Sequence, residues 1–134
     1  MPPLQVAMIG LVVADMARSL AFYRTLGFEI PEEEDAKRFV MHRMASGVTI
    51  FFDTVFFPGN DPSRAPSPPG AYNISLEVYL GTRDAVDAKF TELTELGYAG
   101  RKAPWKSDGP YAAIVDDPDG NPILLTAEDA RADI

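Results

Sequence analysis

Few side chains in this sequence are equipped for chemistry. His42 is the only histidine, and there is no cysteine. A general base needs an orienting partner and a tuned pKa. His42, between Met41 and Arg43 in an extended pattern, reads instead as a half-exposed structural residue. Glu77 closes the run Asn73-Ile74-Ser75-Leu76-Glu77. Strand alternation puts Asn73, Ser75 and Glu77 on one face and Ile74, Leu76 and Val78 on the other. The apolar face is expected to pack under a helix, which leaves Glu77 either solvated or free to meet a cationic ligand. Trp105, the only tryptophan, lies in Ala103-Pro104-Trp105-Lys106-Ser107-Asp108-Gly109-Pro110-Tyr111. This reads as a loop entering a strand, where Trp105 with Tyr111 nearby can stack on a flat ligand, or anchor the loop or a subunit contact. Asp116, Asp117 and Asp119 suggest a metal cluster by composition only. Asp117-Pro118-Asp119-Gly120-Asn121 is better read as a tight turn. No phosphate loop, nucleophile elbow or paired acid–base motif is present.

The bulk composition narrows the function classes further. A chain of 134 residues with 46% hydrophobic residues suits one domain with a real core. A net charge of −8 leaves no basic stripe for nucleic acid and disfavours anionic membranes. Without cysteine, disulfides, thiolate catalysis and Cys-ligated zinc are excluded. The start Met1-Pro2-Pro3-Leu4-Gln5 lacks a basic signal-peptide region, and no run approaches a membrane span. The expected location is therefore cytoplasmic.

The elements that must position these residues follow from hydrophobic patterning. Val6 to Val13 reads as a buried strand. Asp15 can N-cap a helix whose stripe includes Leu20, Tyr23 and Leu26, with Gly27 at its C-terminal end. Phe28-Glu29-Ile30 resumes an extended pattern, and Glu32 to Asp35 looks like a solvated turn. Phe39 to Met44 and Val48 to Phe57 read as strands. Five of the twelve prolines fall in Pro58 to Gly70, a loop or linker. Then the order repeats. Tyr72 to Leu80 is a strand, and Thr82 or Arg83 opens a helix carrying Val86, Phe90 and Leu93. Gly97 ends that helix, Tyr98-Ala99 begins an extended segment, and Tyr111 to Val115 and Pro122 to Thr126 are strands.

The repeat extends to details. Leu26-Gly27-Phe28 and Leu96-Gly97-Tyr98 end the two helices; Gly47-Val48-Thr49-Ile50-Phe51 and Gly120-Asn121-Pro122-Ile123-Leu124 enter the two last strands. The expectation is an α+β fold of two βαβββ modules, about 4–57 and 71–127, joined by a linker at 58–70. One such unit leaves a curved sheet with an open face, and two side by side are expected to form a curved mixed sheet around a cleft.

Leu11 to Tyr23, Leu26-Gly27-Phe28 and Asp117-Pro118-Asp119-Gly120-Asn121-Pro122 together resemble the vicinal oxygen chelate superfamily: glyoxalase I, extradiol dioxygenases, fosfomycin-resistance enzymes and bleomycin resistance proteins. The resemblance covers about Val6 to Ala127. In metal-using members each half supplies a His or Gln from its first strand and a Glu from its last. The resemblance places Met8 and Phe51 at these positions in the first half, and Asn73 and Leu124 in the second. Phe51 and Leu124 have no donor atom, Met8 has a soft thioether, and Asn73 a neutral amide oxygen. A hard divalent ion is poorly served by that set. By parity Thr49, Phe51 and Asp53 share a face, as do Met8, Gly10 and Val12.

These readings favour a metal-free binding protein of the bleomycin-resistance type, with no cofactor and no turnover. It would sequester an antibiotic or another mostly planar molecule, cationic or neutral. Its expected ligand-binding residues are Met8, Phe51, Asp53, Asn73, Glu77, Trp105, Tyr111 and Leu124. The alternatives are a metal-dependent lyase, isomerase or dioxygenase of the same superfamily, or a ligand-responsive accessory subunit. The resemblance also implies a homodimer. The length of the 58–70 loop, rooted at Phe56 and Phe57, suits a reach over a cleft or along the dimer seam, and the Pro2-Pro3 arm, which cannot donate ladder hydrogen bonds, suits lying on the partner.

Overall fold

The computed structural model describes residues 3–55, 63 and 74–128. These fall into two units, Met1–Pro66 and Ser67–Ile134. The expected 58–70 linker, Phe56, Phe57 and Pro2 lie outside the described residues, Ser63 apart. No described helix is long and apolar enough to cross a membrane.

In the first unit, β1 (Met8–Val12) leads into α1 (Met16–Leu26), and β2 (Phe39–Arg43) and β3 (Thr49–Asp53) follow. Asp15 caps α1 as expected: its Oδ1 accepts the Arg18 amide at 3.0 Å. At the other end Gly27 adopts φ 132°, which only glycine enters freely. Its N–H reaches the Tyr23 and Arg24 carbonyls at 3.0 and 3.1 Å, satisfying the last turn. The sheet order is β1-β3-β2, with β1 parallel and β2 antiparallel to β3. Leu11, Phe52 and Val40 form one cross-strand row on the same side of this sheet as Ile9, Ile50 and His42. Phe52 meets the Tyr23 ring of α1 at 5.0 Å, and Tyr23 in turn meets Phe22 and Phe28. This aromatic cluster is the core of the unit.

The fourth strand expected at Phe28-Glu29-Ile30 is not formed, so this unit is βαββ among the described residues. The cause is Arg24. Its guanidinium donates to the Ile30 and Pro31 carbonyls at 2.5 and 2.7 Å and to Asp35 Oδ1 at 2.8 Å. Those carbonyls are therefore bound by a side chain rather than a strand. The acidic run, read as a turn, continues as a 3₁₀ helix over Glu32–Ala36.

The second unit carries the full pattern: β4 (Leu76–Gly81), α2 (Arg83–Glu95), β5 (Gly100–Lys106), β6 (Tyr111–Asp116) and β7 (Pro122–Ala127). Thr82 caps α2, accepting the Ala85 amide at 3.1 Å. The order is β4-β7-β6-β5, with β4 parallel to β7 and the rest antiparallel. First and last strands thus pair parallel in both units, which is the structural form of the sequence repeat. Val86 and Leu93 of α2 are buried, as are Ile123, Leu125, Ala113 and Val115 of the sheet. Leu76 and Val78 are partly buried, as expected of the helix side, but Ile74 lies ahead of β4 and is 74% exposed. With two mixed sheets and two α-helices, the fold is α+β.

Candidate functional site

A sheet covered by a helix on one side leaves its other side as the candidate site. In the first unit that face is built from the rows Gly10–Phe51–Met41 and Val12–Asp53–Phe39, with Met8 beside Thr49. The Phe51 ring lies over Gly10, where an added Cβ would sit 2.0 Å from Phe51 Cζ. Phe51 also stacks on Phe39 at 5.2 Å. Met8, Phe39 and Met41 are exposed, which makes this an apolar, sulfur- and ring-rich surface. Asp53 is buried, and its Oδ1 accepts the Val55 amide at 2.8 Å, a turn-forming role. His42 lies on the helix-bearing side, stacked on Phe28 at 5.0 Å, consistent with a structural histidine.

The open face of the second unit is more differentiated. Register aligns two rows of four across the strands, β4 to β7 to β6 to β5. One is Glu77–Leu124–Ile114–Lys102 and the other Tyr79–Thr126–Ala112–Trp105. The first row runs from a carboxylate through two aliphatic side chains to an ammonium. The second runs from one aromatic ring through two small residues to another. Thr126 and Ala112 are buried at the centre, while Glu77, Tyr79 and Lys102 are exposed at the edges. The result is a sheet face with an aliphatic row lying beside an aromatic-flanked one.

Both charges are engaged by neighbours on this face. The Thr126 hydroxyl donates to Glu77 Oε2 at 3.0 Å, which fixes the carboxylate from a fully buried anchor. Lys102 Nζ sits 4.0 Å from the centroid of the Trp105 ring, a cation–π contact. Beside them Arg101 makes a two-pronged pair with Asp116 at 2.7 and 2.8 Å, so that cation is already matched.

Of the residues expected to bind, Glu77, Leu124 and Trp105 share this face. Met8, Phe51 and Asp53 share the face of the first unit, and Asn73 lies outside the described residues. Trp105, expected in a loop, is within β5, an edge strand whose register shifts between Lys102 and Trp105. That irregularity accommodates Pro104, which cannot donate to a ladder. Tyr111, expected beside Trp105, faces the other way. It pairs with Ala127 on the helix-bearing side, where its hydroxyl donates to Asp87 Oδ1 at 2.6 Å under the Arg83 guanidinium. Tyr79, Lys102, Ile114 and Thr126 were not singled out from sequence. Tyr79 continues the alternation of Ser75 and Glu77; the other three needed the register.

The Asp87 bond, then burial and the negative charge of Asp87, raise the Tyr111 pKa above its usual 10.0, against the pull of Arg83. The neutral phenol is thus favoured in the folded state. Its contribution to stability is complete below the unfolded value and lost as pH rises through the folded one. Tyr111→Phe is expected to cost about 1 kcal/mol at neutral pH. Urea titrations should show the difference from the parent protein vanishing at strongly alkaline pH.

A metal centre requires converging hard donors. Among the described residues no group of three or more His, Asp or Glu side chains is placed to hold an ion. The thioether of Met8 and the hydrocarbons of Phe51 and Leu124 do not fit one either. Asp117, from the acidic trio, is buried and spends its carboxylate on its own turn.

These features, together with the repeat, mark out a family. The chain belongs to the Glyoxalase/Bleomycin resistance protein/Dioxygenase superfamily, whose family model matches residues 5–125. Among solved structures it is similar to a hypothetical protein from S. aureus, at 22% identity, TM-score 0.78, and coverage of 94% of this chain and 95% of that one. It is also similar to a glyoxalase/bleomycin resistance protein/dioxygenase family enzyme from Burkholderia phytofirmans PsJN, at 19% identity, TM-score 0.77, and 92% and 98% coverage. A glyoxalase-related enzyme from Fulvimarina pelagi gives 21% identity, TM-score 0.74, and 92% and 88% coverage. At these identities the likeness establishes the fold alone. Comparison with curated proteins yields no match.

Proposed function

We propose that this protein is a metal-independent binding protein of the bleomycin-resistance type. In this reading the open face of the second unit holds a flat small molecule bearing a cationic group. One observation carries the proposal: Glu77, held by buried Thr126, stands at the edge of a floor of Leu124 and Ile114, beside the row in which Tyr79 and Trp105 flank Thr126 and Ala112. The aliphatic floor and rings supply apolar and stacking contact. A carboxylate already fixed loses little freedom when a cation arrives. The donor set at Met8, Phe51 and Leu124 supports binding over the superfamily's metal-dependent lyase, isomerase and dioxygenase chemistries.

The test is a thermal-shift screen of planar aromatic cations, with and without a strong chelator, followed by analysis of the recovered compound. Binders should raise Tm equally in both conditions, quench Trp105 fluorescence and be recovered unchanged. Glu77→Gln should weaken them about 10- to 100-fold, the worth of one charge-assisted hydrogen bond. Consumption of the compound, or stabilisation abolished by chelation, would favour the enzyme reading.

A further inference from the structure

We infer that the ligand of the second unit is zwitterionic or otherwise amphoteric, with its anionic group seated on Lys102 and its cationic group on Glu77. The inference rests on the binding reading above and adds the second charge. Its basis is the cross-strand row Glu77–Leu124–Ile114–Lys102, which places opposite charges at the two ends of one line of residues. Three interstrand steps separate β4 from β5, so the backbones at the two charged ends are about 14 Å apart. Direct pairing of the two side chains is not what holds them: Glu77 is engaged by Thr126 and Lys102 by Trp105. Between them the row is purely aliphatic. A matching molecule has a flat apolar middle and one charge of each sign, at opposite ends.

Lys102 also changes what Trp105 can accept. An indole face attracts cations through its quadrupole. Here that face already carries an ammonium 4.0 Å from the ring centroid. A cationic group arriving there would meet like charge, whereas a carboxylate, sulfonate or phosphate would find an opposite one. Nearby Arg101 does not serve, being matched by Asp116. Trp105 and Lys102 thus form an anion seat, and Glu77 with Thr126 a cation seat.

Three biphenyl probes separate the terms: 4′-(aminomethyl)biphenyl-4-carboxylate with both charges, 4-phenylbenzylamine with the cation alone, and biphenyl-4-carboxylate with the anion alone. Affinities are measured by calorimetry on the full chain, its Glu77→Gln and Lys102→Gln variants, and a charge-retaining Lys102→Arg variant. Both positions are exposed, and matching circular dichroism establishes that the variants fold. The doubly charged probe should bind about tenfold or more tighter than either singly charged one. Lys102→Gln should weaken the zwitterion and the anion but not the amine. Glu77→Gln should weaken the zwitterion and the amine but not the anion, and Lys102→Arg should retain most of the affinity. If the amine binds as tightly as the zwitterion and Lys102→Gln changes nothing, the amphoteric assignment fails while the binding reading stands. Absence of binding by all three probes, or binding indifferent to both charge-removing substitutions, overturns both.

Discussion

Asp117→Ala is expected to lower stability by about 3 kcal/mol, and Asp117→Asn by roughly half as much. The carboxylate is 4% exposed and organises the β6–β7 turn. Its Oδ1 accepts the Asp119 and Asn121 amides at 2.9 and 2.8 Å, and its Oδ2 accepts Asn121 Nδ2 at 2.9 Å. Alanine strands two backbone donors in a partly buried turn, and an unsatisfied donor costs more than the bond it made. Asparagine keeps an acceptor for the backbone amides but turns its own NH₂ toward the Asn121 amide nitrogen. Urea unfolding at neutral pH provides the measurement, with the midpoint falling and the slope unchanged. A loss below about 1 kcal/mol for alanine would mean that Asp117 does not hold the turn. The proposed binding face has a stake in this, because the turn delivers β7 in the register that sets Leu124 beside Glu77 and Thr126 beside Tyr79.

That turn was legible in the sequence because all of its determinants lie within five residues. The same holds for the helix ends at Asp15, Thr82, Gly27 and Gly97, and for the alternation that put Glu77 on the face away from the helix. What escaped was set by distant partners. Whether Phe28-Glu29-Ile30 joins a sheet is not set by its own pattern: here the Ile30 amide donates to the Phe28 carbonyl, and Arg24, six residues upstream, takes the Ile30 and Pro31 carbonyls. The stretch Ala103 to Tyr111 around Trp105 reads as a loop entering a strand, yet an edge strand with a register shift tolerates Pro104. The side to which Trp105 and Tyr111 point follows from pairing with Ala112 and Ala127.

The site shows the same division. Its end members stood out singly, Trp105 as the only tryptophan and Glu77 by its place in the strand alternation. Its pattern did not, because the Glu77–Leu124 pairing is parallel and spans almost the whole second unit in sequence. Lys102 is an unremarked surface lysine until Ile114 is seen opposite it. Tyr111 carried a signal as strong as that of Trp105, an aromatic residue at a strand entry, but its ring serves the helix side through Asp87 and Arg83. Residue type nominated the candidates, and register sorted them.

Phe52→Ala should be the most damaging single change, costing about 3–5 kcal/mol, whereas Phe52→Leu should cost about 1.5 kcal/mol or less. Phe52 is fully buried on β3, the central strand of the first unit, flanked by Leu11 and Val40. Its ring meets Tyr23 at 5.0 Å with the planes at 58°, so truncation removes both apolar burial and an aromatic pair. The cavity cannot be refilled locally, because Tyr23 is itself held by Phe22 and Phe28. Phe52 also sets which side of the sheet its neighbours face. Because it points to α1, Phe51 and Asp53 point away, and a one-residue slip would reverse all three. A fall in the urea midpoint with an unchanged slope would report the loss of packing alone. A smaller slope, with altered near-ultraviolet circular dichroism, would report loss of the register that keeps the Phe51 ring over Gly10. An alanine cost below about 1 kcal/mol would place Phe52 outside the core and overturn this packing of the first unit.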